Sequence, residues 1–358
     1  MENKPEAWSE TPWMEIHPDD HPVLDDICER YSMLRLHSMG GFVNRVYLLV
    51  SLDPDSPFAH GLTVKITGGH SESDPAREVE SLKLLHALPD PPLALPELVE
   101  FNQATGTRVF TTIAGTSEAY STLNEMFGPH SARTLGKRIG AAHAWQEQLD
   151  PEAFISRMKA IGASPYTAHQ EAVDWLATFD HPLTPNLSRL ARQEAVRLLE
   201  FYPEGLNTGQ RVVHMDCRPE NLMFTQLPDG SYGPTGYIDH EALALGDTER
   251  SMRFWPAAGE TVFGGCVDAY EELTGNTVNC ELVRCWANVQ ALLTAAFQVV
   301  QGVPRVQRMV VGYAALQHHL LPDVDWRELL DPALVPPGHK PTTYETTLRG
   351  MIAAGLLR

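Results

Sequence analysis

Positive charge is the scarcest feature of this chain: 27 Lys and Arg face 46 Asp and Glu, a formal net charge of −19 over 358 residues. Nucleic-acid surfaces are bound by concentrated Lys and Arg, so nucleic acid is excluded as a partner. Acidity of this size keeps a protein soluble, and it is equally compatible with a cationic small substrate drawn into an acidic cleft. Cysteine is also sparse. Cys28, Cys217, Cys266, Cys280 and Cys285 are odd in number and form no CxxC pair. That excludes a disulfide scaffold and a structural zinc site, and predicts reduced thiols in a cytoplasmic protein. No apolar run is long enough for a bilayer. The longest, Ala291 to Val300, has Gln290, Gln298 and Gln301 in and around it and reads as a core helix. Met1–Glu6 lacks a basic region followed by an apolar core, so no secretory signal is predicted. Internal repeats and low-complexity tracts are absent.

What remains is an ordinary globular composition, 43% hydrophobic and 20% charged, long enough for one large domain or two. Residues 1–33 read as a polar, proline-bearing arm followed by a short helix over His21–Tyr31. Residues 34–115 read as a small α+β unit. Its strands are expected at Phe42–Val50, Leu62–Thr67, Glu97–Asn102 and Thr107–Ile113, with a turn at Asp53–Pro57. One helix runs from Pro75 to Leu88, where Val79, Leu82, Leu84, Leu85 and Leu88 form an apolar stripe. Residues 116–358 read as mostly helical, with helices at Thr134–Gln148, Tyr166–Phe179, Leu187–Phe201, Thr248–Gly259, Val267–Thr274 and Glu281–Val300. A strand-rich insert interrupts them at 211–239, turning at Pro228-Asp229-Gly230. A Pro- and Gly-rich connection at 333–342 leads to a last helix, Tyr344–Leu357.

The chemistry concentrates in His214-Met215-Asp216-Cys217-Arg218-Pro219-Glu220-Asn221-Leu222-Met223, bounded by the apolar runs Val212-Val213 and Leu222-Met223-Phe224. Two strands flanking such a loop can point Asp216 at a substrate hydroxyl. Asn221, with Asp239 from Tyr237-Ile238-Asp239-His240-Glu241, can then converge on a divalent cation. A group that orients the nucleophile and oxygen ligands for Mg²⁺ are the requirements of phosphoryl transfer.

Upstream lies a possible nucleotide clamp. Gly40-Gly41, between strand candidates and just before Asn44, would let backbone N–H groups approach phosphates, although a plain hairpin explains the same pair. Lys65 is a lone lysine in an apolar strand, able either to meet phosphates or to snorkel from an edge. Glu78, at the start of the next helix, could hold the Lys65 ammonium as in kinases. Glu80 competes but lies about 200° around the helix. Val79 and Leu82 set the buried side beside Glu78.

Taken together these motifs resemble the aminoglycoside phosphotransferase and choline kinase family, small-molecule kinases with a protein-kinase-like fold. His214, Asp216 and Asn221 match its His-x-Asp-x-x-x-x-Asn loop. Ile238, Asp239, Glu241, Gly246 and Asp247 match its Ile-Asp-x-Glu and Gly-Asp motifs, and Val64-Lys65 with Arg77-Glu78 match its N-lobe pair. The resemblance implies an α+β, bilobal fold with a β-rich N-lobe and a larger helical C-lobe. It implies ATP or GTP with Mg²⁺ as cofactors, and a small-molecule hydroxyl as acceptor. Asp216 becomes the catalytic base or hydroxyl-orienting group, and Asn221 and Asp239 the metal ligands. Lys65 becomes the phosphate ligand positioned by Glu78, while Gly40, Gly41 and Asn44 contribute to the nucleotide site. Thr112, Ile113 and Ala114, within Thr111–Gly115, become the hinge that reads the nucleobase. Arg218 either meets the γ-phosphate or makes a structural salt bridge, His214 holds the loop, and Asp247 caps the following helix.

The chain departs from the family pattern at Met215, Glu220 and His240, positions where glycine, glycine and tryptophan are usual. A protein kinase is disfavoured by Met215 in place of arginine, by Asp239-His240-Glu241 in place of Asp-Phe-Gly, and by the long interval from Gly115 to His214. Acceptor classes left open are aminoglycosides or other antibiotics, amino alcohols such as choline, and hydroxy amino acids or nucleoside-like compounds. Glu171, Asp174, Trp175 and Trp255–Glu260 are candidates to line the acceptor site. A nucleotide-binding module without catalysis is the second reading. A metal-dependent hydrolase built on His17-Pro18-Asp19-Asp20-His21 or His318-His319 is the third, and both segments read better as surface polar residues.

Overall fold

In the computed structural model, residues 16–38, 44–51, 53–67, 74–116, 129–165, 193–194, 196–202, 211–227 and 232–301 are described. The helices expected at 166–179 and 344–357, the turn at 228–230, the connection at 333–342 and His318-His319 lie outside them.

Helix α1 (His21–Tyr31) precedes strands β1 (Met33–Ser38), β2 (Asn44–Ser51) and β3 (Leu62–Thr67). After α2 (Pro75–His86) come β4 (Leu98–Asn102) and β5 (Thr107–Thr111), giving one antiparallel sheet in the order β1-β2-β3-β5-β4. The alternating pattern of β2 and β3 sends Tyr47, Leu49, Leu62, Val64 and Ile66 into one core, which Leu24 and Ile27 of α1 cover. Asp20 belongs to that packing rather than to the surface. It is 2% exposed, accepts from Arg45 Nε at 2.5 Å and Tyr47 Oη at 2.6 Å, and so ties the N-terminal segment to β2. Helix α2 begins where expected, with Asp74 accepting from the Arg77 N–H and Pro75 in its first turn.

The C-lobe is built on α3 (Pro129–Gln146), α4 (Pro151–Ala160), α5 (Glu260–Thr274) and α6 (Cys280–Gln301), with two small antiparallel strand pairs between α4 and α5. Strand β6 (Arg211–His214) pairs antiparallel with β9 (Leu243–Gly246), and β7 (Leu222–Gln226) with β8 (Tyr232–Tyr237). Helices α3 and α5 approach to backbone contact. A Cβ on Gly136 would sit 2.0 Å from the Val262 carbonyl oxygen, and one on Gly140 2.1 Å from that of Cys266. The helix expected over Thr248–Gly259 is instead one α-turn, Thr248–Ser251, and two 3₁₀ turns, Met252–Phe254 and Pro256–Ala258. Pro256 lacks the N–H that an α-helix needs there, and Trp255 turns fully into the core. Trp255 therefore does not line an acceptor site.

The lobes meet along the connector that follows β5 and along the segment that precedes β4. Thr116 and Phe224 exchange backbone hydrogen bonds of 3.0 and 2.8 Å, and Ala94 does the same with Thr235 and Tyr237 of β8 at 2.8 and 2.9 Å. Gly115 adopts φ +129°, and a Cβ there would meet the Phe224 carbonyl oxygen at 2.6 Å, so only glycine lets the connector lie so close to β7.

Candidate active site

Strand β3 carries Lys65 inward to a buried position, 8% exposed, where its ammonium donates to Glu78 Oε1 and to Asp239 Oδ1, each at 2.6 Å. Glu78 comes from the first turn of α2 and Asp239 from the segment after β8, so both lobes supply carboxylates to one cation. Glu80 points elsewhere, to Lys83 at 2.7 Å and Arg157 at 3.3 Å. Burial alone would lower the Lys65 pKa, but the charges of Asp239 and Glu78 more than offset it and raise it above the ordinary lysine value. Asp239 responds in the opposite sense. Burial pushes its pKa up, the Lys65 charge and hydrogen bond pull it down further, and it settles at about 2. Its backbone is left-handed, φ +67°, a conformation that Asp tolerates better than most residues and that concentrates at functional sites.

Glu241 completes the cluster. Asn44 Nδ2 lies 3.3 and 3.4 Å from its two oxygens, and Arg108 Nη1 lies 3.3 Å from Oε2. Burial, then the negative charges of Asp239 and Glu78, raise its pKa to about 7. Glu78, Asp239 and Glu241 each offer a carboxylate oxygen within 4.8 Å of the others, an all-oxygen donor set that suits a hard divalent cation such as Mg²⁺.

The loop between β6 and β7 holds Asp216 half-buried. Its N–H donates to His214 Nδ1 at 3.1 Å, and its Oδ2 accepts from Asn221 Nδ2 at 2.9 Å. The same amide donates to the Asp216 carbonyl at 2.8 Å, which ties both ends of the loop together. Arg218 Nε approaches Asp216 Oδ2 at 3.2 Å. Asn221 reaches the Asp239 segment through its carbonyl, which accepts from Ile238 N–H at 3.0 Å.

His214 has a structural place. It is fully buried against Tyr237 and His240, burial holds its pKa well below the ordinary value, and its carbonyl accepts from Ser251 Oγ at 2.9 Å. His240 is likewise buried, depressed to about 4, and bonded to the Tyr237 carbonyl at 3.0 Å. Met215 finds room because residue 246 is glycine: a Cβ there would lie 2.1 Å from Met215 Cε. Asp247 occupies the N-cap position of the 248–251 turn, but its side chain makes no capping hydrogen bond.

Thr112 is fixed on the connector by its N–H to the Gly61 carbonyl at 3.1 Å and by a 2.9 Å hydroxyl contact with Thr63. Ile113 is half-buried beside Gly236, and Ala114 is exposed. Gly40, Gly41, Glu171, Asp174 and Trp175 lie outside the described residues.

Two arginines were not singled out for these contacts from sequence. Arg77, read only as part of the N-lobe motif, sends its guanidinium from α2 into the C-lobe. It donates to the Leu243 carbonyl at 2.6 and 3.1 Å and to that of Ser164 at 2.7 Å. Arg108, absent from the sequence reading, stands directly opposite Lys65 across β3 and β5. Its signal was a charged residue alternating with the apolar Val109 in a short strand.

The family model described as phosphotransferase enzyme family (APH) matches residues 37–249, more than half of the chain. The fold is similar to that in the GDP and kanamycin complex of APH(2")-IIia, at 15% identity and TM-score 0.62, over 85% of this chain and 99% of that one. It is also similar to the macrolide 2'-phosphotransferase MphH from Brachybacterium faecium, at 16% identity, TM-score 0.51 and coverage of 86% and 100%. Choline kinase LicA from Streptococcus pneumoniae gives 16%, 0.51, and 85% and 99%. No curated protein matches the sequence. The bilobal α+β fold is thus that of protein-kinase-like phosphotransferases, and the chain belongs to the phosphotransferase enzyme family that includes aminoglycoside phosphotransferases and choline kinases.

Proposed function

We propose that this protein transfers the γ-phosphoryl group of ATP or GTP, with Mg²⁺, to a hydroxyl of a small molecule such as an aminoglycoside or another antibiotic. The observation that carries the reading is the convergence of Lys65, Glu78 and Asp239 from three separate segments. It stands beside a loop in which Asn221 is bonded to Asp216. In this reading the acceptor hydroxyl donates to Asp216, which aligns it and takes its proton late in a direct in-line transfer. Lys65 meets the nucleotide phosphates and Glu78 sets its position. In this reading Arg218 leaves its 3.2 Å ion pair with Asp216 to neutralise charge on the transferred group. Asn44, with Gly40 and Gly41, forms the phosphate side of the nucleotide site, and Thr112, Ile113 and Ala114 face the base.

Asn221 and Asp239 would hold Mg²⁺, with a Glu241 carboxylate oxygen within 4.8 Å of one from Asp239. The ion would draw off charge developing on the phosphate oxygens.

The acidic balance of the chain favours a cationic acceptor. Among structures of similar fold, kanamycin is bound by one and choline kinase names another, so an acceptor from primary metabolism is the second reading. The aminoglycoside reading would make the protein a cytoplasmic resistance enzyme. A thermal-shift titration with ATP and with GTP, each with and without Mg²⁺, tests the nucleotide part. Mg²⁺-dependent stabilisation, followed by nucleotide turnover on an acceptor panel, is expected. Binding without turnover on a broad panel would instead favour a non-catalytic nucleotide-binding module.

A further inference from the structure

Lys65 and Arg108 are cross-strand partners in β3 and β5, 8% and 0% exposed. Like charges placed opposite each other on a sheet repel, and a buried arginine is costly to desolvate. An apolar residue at 108 would serve the packing of this lobe at least as well. The structure instead keeps both cations and inserts a carboxylate between them. Glu78 accepts a hydrogen bond from Lys65 on Oε1 at 2.6 Å, and its Oε2 stands in an ion pair 3.0 Å from Arg108 Nη1, so each oxygen faces a cation. Arg108 continues outward, to Glu241 Oε2 at 3.3 Å and, through Nη2, to Asn44 Oδ1 at 2.7 Å. Asn44 closes the circuit by reaching Glu241 with its amide.

We infer that Arg108 is a positioning residue for phosphoryl transfer: its guanidinium fixes Glu78 in the N-lobe and Glu241 in the C-lobe at once. The inference rests on the phosphotransferase reading. Its physical content is a balance of pulls on Lys65. The ammonium is shared between Glu78 and Asp239 at equal distances of 2.6 Å. With Arg108 gone, the Glu78 carboxylate loses its second anchor and turns away. Lys65 then collapses onto Asp239, the carboxylate that Mg²⁺ needs. Glu241 loses the cation that compensates it beside Asp239, and Asn44 loses the partner that orients its amide. The planar fork of arginine spans two carboxylates and an amide oxygen, whereas a lysine at 108 offers one point of charge.

Arg108→Met and Arg108→Lys test this by isothermal titration with ATP and with GTP, at several Mg²⁺ concentrations, alongside nucleotide turnover and thermal melting. The expected result for Arg108→Met is a roughly 10- to 100-fold higher Mg²⁺ requirement and a comparable fall in kcat, with nucleotide affinity in the absence of Mg²⁺ little changed. Arg108→Lys should fold and recover only part of the loss. A methionine variant that melts earlier but matches the wild type in kcat and Mg²⁺ requirement would overturn the inference and leave Arg108 a structural residue. If the methionine variant does not fold, the lysine variant decides: a raised Mg²⁺ requirement supports the inference, and wild-type behaviour overturns it. A wild type that binds neither nucleotide removes the phosphotransferase reading and this inference together. A wild type that binds beside unaffected variants removes the inference alone.

Discussion

Glu78 and Glu80 stand two positions apart on α2, and replacing each by glutamine gives opposite expectations. Glu78 is 1% exposed and lies between the Lys65 ammonium and the Arg108 guanidinium, at 2.6 and 3.0 Å. At an effective dielectric of about 20, unit charges 2.6 Å apart attract by roughly 6 kcal/mol, most of it offset by desolvation. Breaking a buried pair from one side costs about 3–5 kcal/mol when the remaining charge is orphaned. Here Lys65 keeps Asp239 and Arg108 keeps Glu241, so the lower end applies. Glu78→Gln should lose about 3 kcal/mol of unfolding free energy and roughly 4 °C in Tm. Glu80 touches Lys83 and Arg157, both more than half exposed, and Glu80→Gln should stay within about 0.5 kcal/mol of wild type. Urea unfolding followed by tryptophan fluorescence measures both, and nucleotide turnover on the same samples should fall only for Glu78→Gln. Equal losses for the two variants, or a stable and active Glu78→Gln, would refute the reasoning.

Three further outcomes follow from the same geometry. Asp216→Ala should lower kcat by about 10²–10⁴-fold while nucleotide affinity holds, because Asp216 is bonded within its own loop and not to Lys65; a matching rise in nucleotide Kd would contradict that placement. Gly140→Ala should cost about 2 kcal/mol or more, since its Cβ would press on the Cys266 carbonyl at 2.1 Å, whereas Gly264→Ala on the facing helix meets nothing within 4 Å and should be neutral or gain up to about 1 kcal/mol. Burial holds the His143 imidazole at about 4, below its ordinary 6.5. Above pH 6.5 neither the folded nor the unfolded state carries this charge. As pH falls towards 4 only the unfolded chain takes up the proton, so folding loses roughly 3 kcal/mol. His143→Gln should flatten that acid limb in urea unfolding, and an unchanged slope would refute the assignment.

Much of the N-lobe was readable because its signals are local. Alternation in Leu62–Thr67 and the Asp74-Pro75 start of α2 need no tertiary context. The C-lobe was readable where helical periodicity was long. It failed at 248–259, where Pro256 and a buried Trp255 convert an apparently periodic stretch into 3₁₀ turns. Strand β9 escaped because four residues, Leu243–Gly246, carry too little pattern. Helix α4 was passed over although Asp150 caps it, Pro151 opens it, and Phe154 and Met158 form its buried face. The carboxylates and the amide of the site announced themselves through motif spacing. Arg108 did not, because its meaning depends on the pairing of β3 with β5, two strands separated by a helix and a third strand. Asp20 misled for a related reason: its partners, Arg45 and Tyr47, come from β2.

Phosphate transfer itself is the most direct test. Wild-type protein and Asp216→Ala, each with ATP or GTP and Mg²⁺, are incubated with a panel of aminoglycosides, macrolides, amino alcohols and hydroxy amino acids, and the acceptors are weighed by mass spectrometry. Gain of one phosphate on an acceptor hydroxyl with the wild type, and none with Asp216→Ala, is the predicted result. A phosphorylated product made equally by both proteins would contradict it.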